Sequence, residues 1–145
     1  MRKAILILGF ALFAGSAHAQ LPFLTKRPAQ PVIQGIDALR ADFAAQSGGT
    51  TVYFGTESVI LGAPARAVLA AQAAWLRRHP EVVVRIEGYG DGGDTRDHAL
   101  AVGARRAEET RDQLVLLGVP SAQVSTTSWG KERPGLGRAV TVLVR

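Results

Sequence analysis

A single carboxylate in a glycine-rich run, followed by an arginine pair, gives this chain its best candidates for binding a charged ligand. Asp91 is the only charged residue in the run GYGDGG at 88–93, and Arg105 and Arg106 follow in the next segment. Asp91 could hold an ammonium group, and either arginine could take a carboxylate in a bidentate pair. Structural roles also fit: Asp91 could cap a helix, and the arginines could pair with Glu109 or with water. The spacing alone favours these structural roles.

The same glycine run matches the dinucleotide-binding pattern G-x-G-x-x-G, but three features argue against a nucleotide site. Asp91 would put a negative charge where the pyrophosphate should lie. The acidic residue expected about 20 residues later would be Glu108, which falls inside a predicted helix rather than at a strand end. A dinucleotide enzyme is also unexpected in a chain that carries an export signal. We therefore predict no nucleotide cofactor.

Residues that usually carry catalysis or bind metals are scarce. The chain has no cysteine, which excludes a disulfide framework, a thiolate nucleophile and a thiol metal site. Of its three histidines, His18 falls in the predicted export signal, His79 precedes a helix-ending proline, and His98 lies in the first turn of a helix. None has a nucleophile or a metal-ligand partner nearby in sequence. We predict a non-enzymatic protein with no metal and no cofactor.

The N-terminus has the three parts of a secretory signal peptide. Arg2 and Lys3 precede an apolar run at 4–14, and residues 17–19 (AHA) form the small-x-small cleavage pattern. The apolar run is shorter than the roughly 20 residues that span a bilayer. We predict a signal peptide over residues 1–19, cleaved between Ala19 and Gln20, and a mature chain without a transmembrane segment. An uncleaved membrane anchor is the alternative.

Composition fits one exported domain that does not bind nucleic acid. With 145 residues, of which 47% are hydrophobic, the chain has room for one modest core. The formal charge of +5 includes the two cations of the predicted signal peptide, and the remaining positive charges form no basic run. No cysteine follows the predicted cleavage site, so the mature N-terminus cannot be lipidated there. The expected location is a bacterial periplasm.

Residues 20–49 are predicted to form a proline-containing linker and one short amphipathic helix. The prolines at 22, 28 and 31 block helix and central strand, so this part is extended. Apolar residues then recur at helical spacing up to Gln46, at Ile33, Ile36, Leu39 and Phe43. We expect this helix to pack on the main domain and to end at the sequence SGG that follows it.

Residues 50–145 predict a domain of four strands and two helices in the order β-α-β-α-β-β. Apolar and β-branched runs predict strands at 50–54, 82–87, 124–129 and 139–144. Helical periodicity between proline and glycine signals predicts helices at 64–79 and 95–117. This order is typical of an α/β (α+β) two-layer sandwich, with two helices covering one face of a small mixed sheet. The short connection between the last two strands predicts an antiparallel hairpin.

Periodicity also predicts which helical residues are buried. The helix at 64–79 is expected to bury one apolar stripe. The second helix of the domain, at 95–117, is expected to bury Leu100, Ala104, Ala107, Leu114 and Leu117. Gly103 lies inside the second helix at a cost of about 1 kcal/mol relative to alanine, which predicts close backbone packing there. The glycine run is expected to end the second strand before Gly88, because its residues lose much backbone entropy on folding.

Several segments, in order and at matching spacing, make the chain resemble the OmpA-like C-terminal domain family (OmpA/MotB type). They include TVYF at 51–54, IEGYGD at 86–91, GARRAEETRDQL at 103–114 and SWGKERP at 128–134. The most similar branch is the peptidoglycan-associated lipoproteins (Pal), whose lipidated cysteine is absent here. The resemblance implies the same fold and a non-catalytic, cell-wall-associated or outer-membrane-associated domain that binds peptidoglycan in the periplasm. It also implies envelope proteins of the Tol-Pal type as partners.

The resemblance also implies a binding site. In that family an aspartate after the second strand and an arginine on the following helix hold the diaminopimelate of the peptidoglycan stem peptide. The matching residues here are Asp91 and Arg106. Further ligand-binding positions of the family correspond to Glu57, Thr95 and Ala99.

The chain departs from the family pattern close to these residues. Gly55 and Asp94 replace other residues of the strand-one and strand-two motifs, Ala99 stands in place of an asparagine, and the loop at 135–137 is shortened. A different function is therefore also open, in which a degenerate OmpA-like domain serves as a protein-interaction module that has lost peptidoglycan binding.

Overall fold

The computed structural model describes residues 35–145, in which the predicted β-α-β-α-β-β order follows one preceding helix. The boundaries of the strands and helices predicted in residues 50–145 lie within two residues of the observed ones. The elements are α1 (Ile36–Gln46), β1 (Thr51–Tyr53), α2 (Ala63–Arg78), β2 (Val84–Tyr89), α3 (Arg96–Leu116), β3 (Val124–Gly130) and β4 (Arg138–Leu143), with a 3-10 turn (Ser121–Gln123) before β3. The predicted signal peptide and linker, with Ile33, lie outside the described residues. None of the helices within 35–145 has the length and apolar character that a membrane span needs.

The four strands form one mixed sheet in the order β1-β4-β2-β3. The predicted two-layer α/β fold is confirmed, but the predicted hairpin between the last two strands is wrong. β4 lies between β1 and β2 and is antiparallel to both, while β3 pairs in parallel with the other side of β2. Neighbouring strands are only about 4.8 Å apart, so the connection at 131–137 is long enough to pass the end of β2.

Strand composition explains this order. β4 is the apolar run RAVTVL, in which Ala139, Thr141 and Leu143 are buried, as suits a strand with neighbours on both sides. β3 is the polar run VSTTSWG, and most of its residues are partly exposed. A polar strand at the edge and an apolar strand in the middle is the arrangement that buries the most apolar surface.

Helix α1 packs on the domain, as predicted. The Phe43 ring lies edge-on to Trp75 of α2 with ring centroids 5.1 Å apart, and Trp75 Nε1 donates to Asp42 Oδ2 at 2.7 Å. Arg40 Nη2 donates to the carbonyl of Leu143 on β4 at 3.1 Å. These contacts join α1 to both layers of the fold.

Helix α3 buries a different stripe from the predicted one. Ala107 and Leu114 are fully buried as expected, whereas Leu100 is 46% exposed and Ala104 is also exposed. The buried face of α3 is instead rich in small residues, and it contains Ala99, Val102, Gly103, Arg106, Ala107, Thr110 and Leu114. Because the helix lies very close to the sheet, small side chains fill this contact and larger ones such as Leu100 point outside it.

Glycines on both elements allow this close approach. Strand β2 continues through Gly88 to Tyr89, so the prediction that the strand ends before Gly88 is wrong. A Cβ atom at Gly88 would lie 1.8 Å from the carbonyl oxygen of Gly103, and one at Gly90 would lie 2.3 Å from that of Ala99. The close packing predicted at Gly103 is therefore confirmed, and its partner is the end of β2 itself.

Gly88→Ala is expected to destabilise the protein strongly, because the new methyl group would meet the α3 backbone and not a movable side chain. Overpacking of this kind typically costs about 1–3 kcal/mol, and we expect the upper end of that range. The measurement is urea denaturation followed by circular dichroism. Gly93→Ala is the matched control, because a Cβ atom there would meet nothing within 4 Å. Equal midpoints for the two variants would contradict the proposed packing.

Candidate functional site

The guanidinium group of Arg106 lies at the centre of the candidate site and uses all five of its N–H groups. It forms a bidentate pair with Asp91, with Nη1 to Oδ1 at 3.0 Å and Nη2 to Oδ2 at 3.1 Å. The other three N–H groups donate to main-chain carbonyls, those of Ser58 at 2.9 Å, Tyr89 at 2.8 Å and Gly55 at 3.0 Å. A guanidinium group has five donors and no acceptor, so its hydrogen-bonding capacity is filled.

Burial separates the two arginines that the sequence left as alternatives. Arg106 is fully buried, with its guanidinium carbon 5.4 Å from the centroid of the Phe54 ring, whereas Arg105 is exposed. A buried charge without a partner is very costly, so Asp91 is needed for the stability of the fold. The structure therefore places Arg106, and not Arg105, beside Asp91.

Asp91 is the member of the pair that reaches the surface. Its side chain is 16% exposed, and Oδ2 also accepts a bond from the backbone N–H of Glu57 at 2.6 Å. The bonds from Arg106 lower the pKa of Asp91 below its usual value of 3.8, and the Glu57 N–H adds to this effect. Because a carboxylate has about four acceptor positions and three are used, Asp91 can accept one more hydrogen bond.

The shortened loop at 135–137 forms one wall of the site. Gly137 donates its N–H to the carbonyl of Gly90 at 3.0 Å and accepts a bond from the N–H of Phe54 at 2.8 Å. A Cβ atom at Gly137 would lie 3.9 Å from Asp91 Oδ1, and Leu136 lies against Gly92. The absence of a side chain at Gly137 thus leaves Oδ1 of Asp91 approachable from this side.

The other three predicted site residues lie around Asp91 in different environments. Glu57 is exposed, has a left-handed backbone (φ 52°) and contacts Asp91 through its N–H. Thr95 caps α3, as predicted, by accepting a bond from the N–H of His98 at 3.3 Å. Ala99 is fully buried against the backbone of Gly90. The structure brings Glu57 to the pair directly, and Thr95 and Ala99 fix the helix that carries Arg106.

The fold also assembles a group that sequence reasoning missed. Potential ligand atoms of Glu57, Asp94 and His98 all lie within 4.8 Å of one another. The i,i+4 spacing of Asp94 and His98 is visible in the sequence, whereas Glu57 comes from a distant loop and carries no such signal. The Lys131 ammonium group is close by and donates to the main-chain carbonyl of Asp94.

Comparison with known proteins identifies the family of this site. The OmpA family matches residues 53–140, a range that includes both members of the buried ion pair. The chain belongs to the OmpA family. The resemblance noted in the sequence is thereby confirmed.

Relatives of this OmpA-family chain are similar over its domain. A peptidoglycan-associated lipoprotein of Rhizobium meliloti (strain 1021) is 46% identical over 86 residues, which cover 59% of this chain and 49% of that protein. The chain spans about half the length of the curated relatives it matches. The crystal structure of the peptidoglycan-associated lipoprotein from Burkholderia pseudomallei has a TM-score of 0.64 and 34% identity, covering 66% of this chain and 91% of that one. The C-terminal domain of Helicobacter pylori MotB has a TM-score of 0.60, 18% identity and coverage of 66% and 84%, a likeness in fold alone.

Members of the OmpA family are non-catalytic structural proteins of the cell envelope, which confirms the prediction that this protein is not an enzyme. The geometry agrees with this conclusion. A general acid or base needs a pKa near the working pH, and Arg106 lowers the pKa of Asp91 away from that range. The pair is suited to holding a fixed charge, and a fixed charge can recognise an ionic ligand.

Arg106→Met should destabilise this OmpA-family domain by about 3–5 kcal/mol, because it leaves Asp91 and three main-chain carbonyls without their donor. Methionine preserves much of the side-chain volume and removes the charge and the donors. The free energy of unfolding is measured in urea. Arg105→Met is the matched control on the exposed face and should change stability by no more than about 0.5 kcal/mol. Equal losses in the two variants would disprove the structural role of the buried guanidinium group.

The pH dependence of the stability lost in Asp91→Asn tests whether the pair is charged. The folded-state pKa of Asp91 is lowered, so its ionised form stabilises the native state above pH 3.8, and this contribution is lost as pH falls through the folded pKa. The stability difference between the native protein and Asp91→Asn should therefore be constant near neutral pH and shrink below pH 3.8. Urea denaturation of both proteins over this range provides the measurement. A difference independent of pH would contradict the ion pair.

Proposed function

We propose that this domain binds peptidoglycan non-covalently by recognising the diaminopimelate of the stem peptide. The observation that carries the proposal is the bidentate pair between the buried Arg106 and the partly exposed Asp91. The amino-acid end of diaminopimelate is a zwitterion, with one ammonium group and one carboxylate. A fixed aspartate beside a helix N-terminus offers a partner to each of these charges.

Asp91 is the proposed acceptor for the ligand ammonium group. Oδ1 accepts only the bond from Arg106 among the described residues, and Gly137 beside it presents no side chain. Because Arg106 lowers the pKa of Asp91, the carboxylate is ionised at neutral pH and attracts a cation. The two groups thus act as a unit, in which Arg106 fixes Asp91 and Asp91 contacts the ligand.

The ligand carboxylate needs a different partner, because the donors of Arg106 are filled. Amide N–H groups at a helix N-terminus attract anions, and α3 begins a few residues after Asp91. Gly93 lies in the segment between Asp91 and α3, and a Cβ atom there would meet nothing within 4 Å. We assign the carboxylate to the main chain before α3.

The remaining predicted residues support this arrangement. Glu57 orients Asp91 through its N–H, and Thr95 fixes the start of α3 by capping it. Ala99 has no exposed surface, and it permits the close packing of α3 on Gly90. These three residues act on the ligand site through the backbone in this proposal.

The relatives support the cellular role. Proteins named peptidoglycan-associated lipoprotein match this chain over the region that contains Asp91 and Arg106. We propose that the protein is exported to the periplasm, associates there with the cell wall or outer membrane and contributes to the integrity of the envelope. Envelope proteins of the Tol-Pal type are its proposed protein partners.

Co-sedimentation with purified sacculi tests the proposal. Wild-type protein should sediment, and Asp91→Asn should lose binding by about 30-fold or more, since truncating one partner of a buried charge pair typically costs about 2–5 kcal/mol. Free diaminopimelate should release the protein, whereas 1,5-diaminopentane should not, because it has ammonium groups but no carboxylate. Circular dichroism establishes that the variant is folded.

Asp97→Asn is the matched control, since Asp97 is an exposed acid in the first turn of the same helix. It should sediment like the wild type. Equal sedimentation of wild type and Asp91→Asn would refute the proposed site. A folded wild type that does not sediment would instead favour the protein-interaction module.

A further inference from the structure

Three side chains from separate parts of the fold converge beside the ion pair. Glu57 lies in the loop between β1 and α2, Asp94 in the turn before α3, and His98 in the first turn of α3. One oxygen or nitrogen atom from each lies within 4.8 Å of the other two. His98 Nε2 is 3.8 Å from Asp94 Oδ2, which is too long for a direct hydrogen bond.

The Asp94 carboxylate is the unusual member of this group. Its side chain is only 10% exposed, and its Oδ2 atom, which faces His98, is buried without a hydrogen-bond partner. Most buried polar side-chain atoms in native proteins do have partners, because an unpaired buried oxygen is costly, and a buried carboxylate oxygen especially so. The nearby ammonium group of Lys131 donates to the main-chain carbonyl of Asp94, so it does not provide a hydrogen bond to Oδ2.

We propose that Glu57, Asp94 and His98 form a binding site for a divalent transition metal ion, with Zn²⁺ as the best match. An imidazole nitrogen with two carboxylate oxygens is a set of ligands that zinc accepts, whereas Mg²⁺ and Ca²⁺ prefer oxygen ligands alone. A metal ion would give Asp94 Oδ2 the partner that it lacks. With three protein ligands, a fourth position remains open.

Only small side-chain movements are needed to close the ligand set. Ligand atoms about 2.0–2.1 Å from a tetrahedral zinc ion lie about 3.3 Å apart. His98 and Glu57 are exposed and free to change rotamer, while the Asp94 side chain is largely buried. The backbone of the site is already fixed, because Thr95 caps α3 at His98 and the N–H of Glu57 is bound to Asp91.

The metal proposal stands apart from peptidoglycan binding, because none of its three side-chain ligands belongs to the Asp91–Arg106 pair. Isothermal titration with ZnCl₂, on protein purified without a histidine tag, is expected to show one site. His98→Gln and Asp94→Asn should each weaken zinc binding at least tenfold, and MgCl₂ should give no binding to the wild type. Circular dichroism of each variant establishes that it is folded.

His79→Gln is the matched control. His79 Nδ1 lies 3.7 Å from Glu81, so it also has a carboxylate neighbour, but no third ligand joins it within residues 35–145. This variant should bind zinc like the wild type. Cobalt(II) provides a second readout, since its visible absorption should differ between the wild type and His98→Gln.

Two results would overturn the metal site. The first is no zinc binding by the wild type, which would leave Asp94 and His98 as a simple electrostatic pair. The second is equal zinc binding by the wild type, His98→Gln and Asp94→Asn, which would assign the ion to another part of the chain. Neither result depends on sacculus sedimentation, so the two proposals fail separately.

Discussion

The burial of the Arg106 guanidinium group is the constraint on which the candidate site depends. Arginine stays protonated at all physiological pH values, so its charge has to be compensated inside the fold. Asp91 supplies the compensating charge, and the carbonyls of Gly55, Ser58 and Tyr89 accept the remaining donors. Because these groups come from the β1–α2 loop and from the end of β2, one buried cation fixes both segments relative to α3. The position of Asp91 therefore follows from a requirement of stability.

Small residues make this arrangement possible. Arg106 reaches the end of β2 only because α3 lies almost in backbone contact with that strand, and Gly88, Gly90 and Gly103 allow this contact. The glycine run thus has a different role from the one its pattern suggests. In a nucleotide-binding fold such glycines make room for phosphates, whereas here they make room for a helix. The carboxylate within the run is then carried to the surface beside the helix start.

Local sequence signals predicted every strand and helix of residues 50–145, because proline, glycine and periodicity act within a few neighbouring residues. The sheet order was not predictable in the same way. The short connection between β3 and β4 predicted a hairpin that the structure does not contain. Composition decides the order instead, because the apolar β4 lies inside the sheet and the polar β3 lies at its edge. The proximity of Asp91 and Arg106 came from family resemblance alone, since nothing in their spacing distinguishes Arg106 from the exposed Arg105.

In the sequence, Glu57 is a predicted ligand-binding position and Asp94 is a departure from the family pattern, and the structure places the two in one group. Beside Asp91 they bring three carboxylates together, and of these Asp91 is the one paired with Arg106. This balance favours a ligand that presents an ammonium group and opposes one that presents several carboxylates. A divalent ion held by Glu57, Asp94 and His98 would offset the negative charge of the two acids and so weaken the second effect. Glu57 and Asp94 therefore act together on the charge of the site, although one comes from the loop between β1 and α2 and the other from the turn before α3.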